Sequence, residues 1–198
     1  GLRFEGAVAQ LIDVEEKYQT AIDVALGQAQ QNIITLTYDD AKYLIGYLKK
    51  NNMGRVTFLP VDTVRGRQIE ADILARAQKC RGFIGVADKL IKYNPTYANI
   101  MSGLLGKTII CDDLDNAAQI AREVNYTVKI VTLDGDVIHP YGAVSGGSIK
   151  KGSGEILSYD RNISEAEANL KQKQAAFGEL TQKINDYNEN CASLQNSL

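Results

Sequence analysis

VKIVTLDGDVIHPYGAVSGGS runs from Val128 to Ser148. Its first half is apolar and β-branched, which reads as a strand. Asp134–Gly135 then supplies a two-residue hairpin signal, because glycine tolerates the positive φ such turns require. The second half changes character: Gly142, Gly146 and Gly147 fall among small residues, and Lys150 and Lys151 follow directly. Residues without a Cβ permit unusual φ/ψ or close approach by another backbone. Two readings fit: a linker, or a sheet edge that pairs with an edge strand of a second copy and so covers an aggregation hazard.

Upstream, strands and helices alternate. AVAQLIDV (Ala7 to Val14) reads as a strand, and Tyr18, Ile22, Ala25 and Leu26 then fall on one helical face. NIITLT (Asn32 to Thr37) reads as a strand. YDDAKYLIGYLKKN reads as a helix capped by Asp39 or Asp40, with Ala41, Leu44, Ile45 and Leu48 inward. RVTFLP (Arg55 to Pro60) reads as a strand, and a helix is predicted over 71–77. A similar order recurs in PTYANIMSGLLG, TIICD, DLDNAAQIAREVN and TVKIVTLDGDVI. Leu26–Gly27 answers to Leu105–Gly106, Ile33–Ile34 to Ile109–Ile110, and Asp40–Ala41 to Asn116–Ala117. The fold class is therefore α/β in two similar lobes, either by duplication or by coincidence of layout.

From Ile163 a different pattern takes over. Ile163, Leu170, Phe177, Ile184, Cys191 and Leu198 alternate with Ala166, Lys173, Leu180, Tyr187 and Leu194 at three- and four-residue spacing. Only Lys173 breaks this apolar seam, so a coiled-coil arm is expected, roughly 50 Å long. Ser164 and Glu167 form a capping box in sequence. An amphipathic helix packed on the domain is the other reading.

Most chemistry is excluded. Gly142 and Gly147 have P-loop spacing, but Ser148 stands where lysine is required. His139 is the only histidine, which leaves no histidine pair for a metal and reads as structural. Asp39, Asp40, Asp112, Asp113 and Asp115 sit at strand-to-helix junctions, where carboxylates cap helices and favour the dipole; a Mg²⁺ site is the alternative. Three cysteines without CxxC spacing argue against a disulfide framework or zinc site and fit a reducing, cytoplasmic setting. No cofactor is expected and no apolar run reaches membrane-spanning length. The net charge of −2 restricts any nucleic-acid contact to a local patch, and absent Trp with 7% aromatics disfavours a base-stacking platform. Opening on Gly1 and stopping in mid-pattern at Leu198, the chain is expected to be a piece of a longer protein.

Four motifs in order resemble the hinge domain of structural maintenance of chromosomes (SMC) proteins of the bacterial chromosome-partition type. They are GAVAQLIDVEEKYQTAIDVALGQAQQNII (Gly6 to Ile34), GRVTFLP (Gly54 to Pro60), LLGKTIICDDLDNA (Leu104 to Ala117) and the opening stretch. The resemblance implies a two-lobed hinge with small sheets, spanning residues 1–80 and 81–153, followed by an arm over 154–198. It implies a homodimer formed head to tail, with Gly142, Gly146 and Gly147 at the contact. Tyr141 departs from the pattern, since family members often carry another glycine there. The resemblance also implies sequence-independent contact of Lys150 and Lys151 with DNA phosphates, a nucleoid-associated location, and an antiparallel partner helix for the arm that precedes the hinge in the parent. ATPase chemistry would reside in head domains elsewhere in that parent, so this part is expected to be no enzyme. The competing reading is a small-ligand or nucleotide-binding α/β domain carrying a coiled coil.

Overall fold

The computed structural model describes residues 4–147 and 166–184. The chain forms two compact units, Gly1–Leu157 and Ser158–Leu198.

The first unit opens with β1 (Phe4–Ala7), a 3-10 turn (Val8–Gln10) and β2 (Ile12–Val14). The sequence predicts one strand here. It breaks because Val8 and Ala9, adjacent in sequence, are both buried, which a strand's alternation forbids. The Gln10 side chain closes the turn by accepting the Ala7 N–H at 3.0 Å. Next come α1 (Gln19–Leu26), β3 (Ile33–Thr35), α2 (Tyr38–Lys50), β4 (Phe58–Pro60) and α3 (Ala71–Ala77). The cap of α2 is Thr37 rather than Asp39 or Asp40. Thr37 has extended φ/ψ and its Oγ1 accepts the Asp40 N–H at 3.1 Å, so Asp40 lies inside the first turn. Of the four α2 residues expected to point inward, only Ala41 is buried, and Ile45 is exposed.

The second half contains β5 (Phe83–Val86), a 3-10 turn (Ala87–Lys89), β6 (Ile91–Tyr93), α4 (Ala98–Leu105), β7 (Thr108–Cys111), α5 (Leu114–Glu123), β8 (Lys129–Thr132), β9 (Val137–Ile138) and β10 (Val144–Ser145). It repeats the first half. β1 pairs antiparallel with β3 and β3 parallel with β4; β5 pairs antiparallel with β7 and β7 parallel with β8. The register slips between Phe4 and Gly6, and again between Phe83 and Gly85. At one constant spacing Phe4, Gly6, Leu11, Ile12, Tyr18, Leu26 and Gly27 recur as Phe83, Gly85, Leu90, Ile91, Tyr97, Leu105 and Gly106.

The halves are welded together. β2 and β6 pair with each other, Ile12 opposite Tyr93 and Val14 opposite Ile91. One core takes Val8, Ile22, Leu26 and Ile34 from the first half and Ile100, Met101, Leu105, Ile110 and Val131 from the second. A second core joins Ile109, Ile120, Val124, Ile130 and Ile138. Along β7, Ile109, Ile110 and Cys111 alternate between these cores, so the sheet is buried on both faces. The stretch over 64–68 lies against α4: the Ser102 hydroxyl donates to the Arg67 carbonyl at 2.7 Å, and a Cβ on Gly106 would collide with that carbonyl. Lys129 donates to the carbonyls of Val24 and Ala25 at 3.3 and 3.0 Å, placing a cation at the C-terminal end of the α1 dipole. Burial lowers its pKa.

In the second unit residues 166–184 are helical. Leu170, Phe177, Leu180 and Ile184 of the expected seam are all exposed there, Phe177 by 73%. Ile163, Ser164, Tyr187, Cys191, Leu194 and Leu198 lie outside the described residues.

Candidate subunit interface

The five-stranded sheet runs β10-β9-β8-β7-β5, so β10 is an edge. The hairpin before it is built as Asp134–Gly135 predicts: Gly135 has φ of 92°, its N–H donates to the Thr132 carbonyl at 3.0 Å, and the Asp136 N–H donates to Thr132 Oγ1 at 2.9 Å. Val137 and Ile138 of β9 are buried. After β9 the chain turns over His139–Gly142 and returns as β10, with Val144 opposite Ile138 and Ser145 opposite Val137. The His139 N–H donates to the Ala143 carbonyl at 2.8 Å, and its ring Nε2 lies 3.1 Å from Ser145 Oγ. His139 therefore serves the turn.

The three glycines gather on this edge for different local reasons. Gly142 has φ of 94° and Gly147 of 130°, conformations that L side chains rarely adopt. Gly146 is a matter of space, since a Cβ there would run into the Asp136 carboxylate, which also accepts the Gly147 N–H at 3.4 Å. Tyr141 itself takes a left-handed conformation, φ 72° and ψ 3°. Its N–H donates to the Tyr126 carbonyl at 3.1 Å, while its side chain is 84% exposed. A residue that pays the left-handed penalty and projects its ring into solvent occupies a glycine's conformation. Val144 is 60% exposed beside it. Lys150 and Lys151 lie outside the described residues.

A second open edge escapes sequence reading. The three-stranded sheet runs β1-β3-β4 and ends at β4, where its counterpart continues from β8 into β9 and β10. Next to β4, Tyr38, Ala41, Lys42, Ile45, Phe58, Pro60 and Thr63 line a hollow of about 410 Å³. Nothing in the residue pattern marks β4 as an edge, because that status depends on which strands fail to reach it.

Of the two acidic clusters, only the one at α5 supplies the helix cap; Asp39 and Asp40 lie inside the first turn of α2. The Asp113 carboxylate accepts the Asn116 N–H at 2.7 Å, and Asp112 Oδ1 accepts the Asp113 N–H at 2.8 Å and the Asn116 amide at 3.0 Å. Burial pushes the Cys111 thiol up to about 12 and raises Cys80 as well, which favours the protonated thiol at both. Among the described residues no helix is long and apolar enough to cross a membrane.

Residues 2–121 match the family model described as SMC proteins Flexible Hinge Domain. The chain is 36% identical over 179 residues to the chromosome partition protein Smc of Bacillus subtilis, and 42% identical over 158 residues to that of Clostridium kluyveri. These alignments cover 90% and 80% of this chain but only 15% and 13% of the relatives. Among solved structures, an asymmetric dimer of the Geobacillus stearothermophilus SMC hinge domain superposes with a TM-score of 0.76 at 35% identity, covering 91% of this chain and 72% of that one. The Pyrococcus furiosus SMC hinge domain follows, with a TM-score of 0.61 at 29% identity and 74% of each chain covered. Repeated topology, a glycine-lined edge strand and a family model spanning most of the first unit agree, and the chain belongs to the SMC hinge family.

Proposed function

We propose that this chain is the homodimerisation hinge of a chromosome-partitioning ATPase, and that the β10 edge of one copy pairs with the β4 edge of the other. The observation that carries the reading is the presence of two open edges, β10 and β4, on sheets that share the β1-β3-β4 and β5-β7-β8 layout. An edge left open is a template for strand addition. β10 carries exposed Val144 and Tyr141, and β4 lies beside the hollow lined by Tyr38, Ile45, Phe58 and Pro60. Two copies related by a two-fold axis make this contact twice, which closes a ring and leaves neither β4 nor β10 open. Gly142, Gly146 and Gly147 let the partner backbone come close.

Lys150 and Lys151, directly after the glycine edge, contact DNA phosphates without reading sequence, an interaction that weakens steeply with salt. ATP hydrolysis belongs to parts of the parent beyond this chain, and the location is the nucleoid in the cytoplasm. The exposed seam of residues 166–184 takes an antiparallel partner helix.

The test is the solution mass of residues 1–157 by light scattering across a concentration series. Twice the chain mass is expected for the native sequence. Val144→Glu on one edge and Ile45→Glu in the facing hollow each shift it toward one chain mass. A native monomer at every concentration sinks the reading.

A further inference from the structure

Asp88 is a charge that the fold does not ask for. It sits in the 3-10 turn between β5 and β6, and only 2% of it is exposed. At the spacing that relates the two halves, Asp88 and Lys89 answer to Ala9 and Gln10. The first half builds the same turn around a buried alanine, and Gln10 closes it by accepting the Ala7 N–H. Turn geometry therefore does not require the carboxylate. A buried carboxylate is also costly unless its oxygens are satisfied. Asp88 Oδ2 meets the Lys89 ammonium at 3.3 Å, but Oδ1 is buried without a hydrogen-bond partner. Two hollows meet at this pair. One, of about 410 Å³, is polar and is lined by Gly66, Gln68, Asn99 and Ser102 together with Asp88 and Lys89. The other, of about 340 Å³, shares Gln68, Asp88 and Lys89 and is otherwise mainly apolar, with Ile69, Leu74, Phe83, Ile84 and Val86. Gly66 keeps the polar hollow open, since a Cβ there would stand 3.3 Å from both Asn99 Oδ1 and Ser102 Oγ. Apolar walls with a few converging polar groups are the character of a small-molecule site.

We infer that these joined hollows seat a free α-amino acid with an apolar side chain. Its ammonium donates to Asp88 Oδ1, which a turn about the last side-chain torsion brings to face the hollow. Its carboxylate meets Lys89, whose side chain is 66% exposed and whose ammonium has donors to spare beyond the one given to Asp88. Its side chain enters the apolar hollow beside Phe83 and Val86. The one acidic and one basic residue of the polar hollow sum to zero charge, which suits a zwitterion better than a simple cation or anion. The site shares no residue with the hollow beside β4 or with the β10 edge, so it stands whether or not the subunit contact does.

The test is isothermal titration calorimetry of the full chain with L-leucine, L-methionine and L-phenylalanine. At least one is expected to bind with Kd of about 1 mM or tighter. For the tightest of the three, the N-acetyl derivative lacks the ammonium and the amide lacks the carboxylate, and each is expected to bind roughly ten-fold more weakly. Glycine, which leaves the apolar hollow empty, should also lose roughly ten-fold. Asp88→Asn keeps the shape of the side chain and should weaken binding roughly ten-fold. Asp88→Ala copies the first half's Ala9 and should abolish binding while the melting temperature holds or rises, which separates a ligand group from a structural one. Absence of binding by all three amino acids up to about 10 mM, affinity unchanged in Asp88→Asn, or an amide that binds as well as its free acid overturns the inference. So does a fall in the melting temperature of Asp88→Ala, which would make Asp88 part of the turn. Light scattering on the same variants should show native mass, so that failure here is distinguishable from failure of the dimer.

Discussion

α2 and α5 occupy the same place in the two repeats, yet they are finished differently. α5 buries Asn116, Ala117, Ile120 and Ala121 against a sheet covered on both faces. α2, three residues longer, buries only Ala41 and turns Tyr38, Tyr43, Ile45 and Tyr47 outward. The sheet beneath α5 gains β9 and β10, while the sheet beneath α2 stops at β4. The sheet of one repeat is thus extended by two strands of the chain itself, and the other is not. Apolar and aromatic surface that the chain itself declines to cover is where partners are to be sought.

The largest expected effect probes the completed side. Ile110, fully buried on β7 in the core shared by both halves, should cost about 2–5 kcal/mol when cut to alanine. Tyr43→Ala on α2, 66% exposed and outside the hollow beside β4, should stay within about 0.5 kcal/mol. Urea unfolding at one fixed protein concentration checks this, and equal losses would break the contrast between the repeats.

A second comparison concerns equivalent glycines. Gly27 has φ of 52° with nothing near its missing Cβ, whereas Gly106 has an ordinary φ of −68° but faces the Arg67 and Ser102 carbonyls. Gly106→Ala should therefore cost about 1–3 kcal/mol by overpacking, and Gly27→Ala about 1 kcal/mol by backbone strain. Gly27→Asn should recover none of its loss, because ψ of −130° puts Gly27 outside the left-handed region that asparagine tolerates, and Gly106→Asn should be worse than alanine. Thermal unfolding of the four variants sharpens the point that one repeat position is used for conformation and the other for space.

The smallest effect depends on pH. Asp23 and Ser102 are equivalent in the repeat. Ser102 donates to Arg67, but Asp23 Oδ1 is buried without a hydrogen-bond partner, and burial pushes its carboxyl up to about 7. The folded state thus favours the protonated acid. That contribution is complete below the unfolded value near 4, declines as pH rises, and is gone above about 7. Asp23→Asn should flatten this slope and add about 1 kcal/mol at pH 8, where ionised Asp23 is penalised. Denaturation midpoints between pH 4 and 8 measure it, and parallel native and variant curves would contradict it.

Legibility in the sequence followed locality. The helix over 71–77, the hairpin at Asp134–Gly135 and the repeat marked by Leu26–Gly27 and Leu105–Gly106 were readable, because each is set by neighbouring residues. The strand read across Ala7–Val14 was not one strand, and residues 82–94 carried two strands too short to show a period. The polar stretch 61–81 resisted reading apart from the helix over 71–77; within it the path of 64–68 is held by contacts with α4, Ser102 and Gly106 above all. Gly142, Gly146 and Gly147 were readable as special, but not why: only the folded backbone distinguishes the positive φ of Gly147 from the crowding of Gly146 by Asp136.

By itself, then, the sequence determined an α/β repeat, its turn chemistry and a heptad pattern from Ile163, since propensity and periodicity act over a few residues, and its motifs carried the resemblance to the family. Tertiary structure alone decided that the halves share one core through β2 and β6, that β4 and β10 are edges, and that α2 is left bare. Those are facts about what does and does not pack against a segment, and packing partners distant in the chain leave no period in the segment they cover or fail to cover.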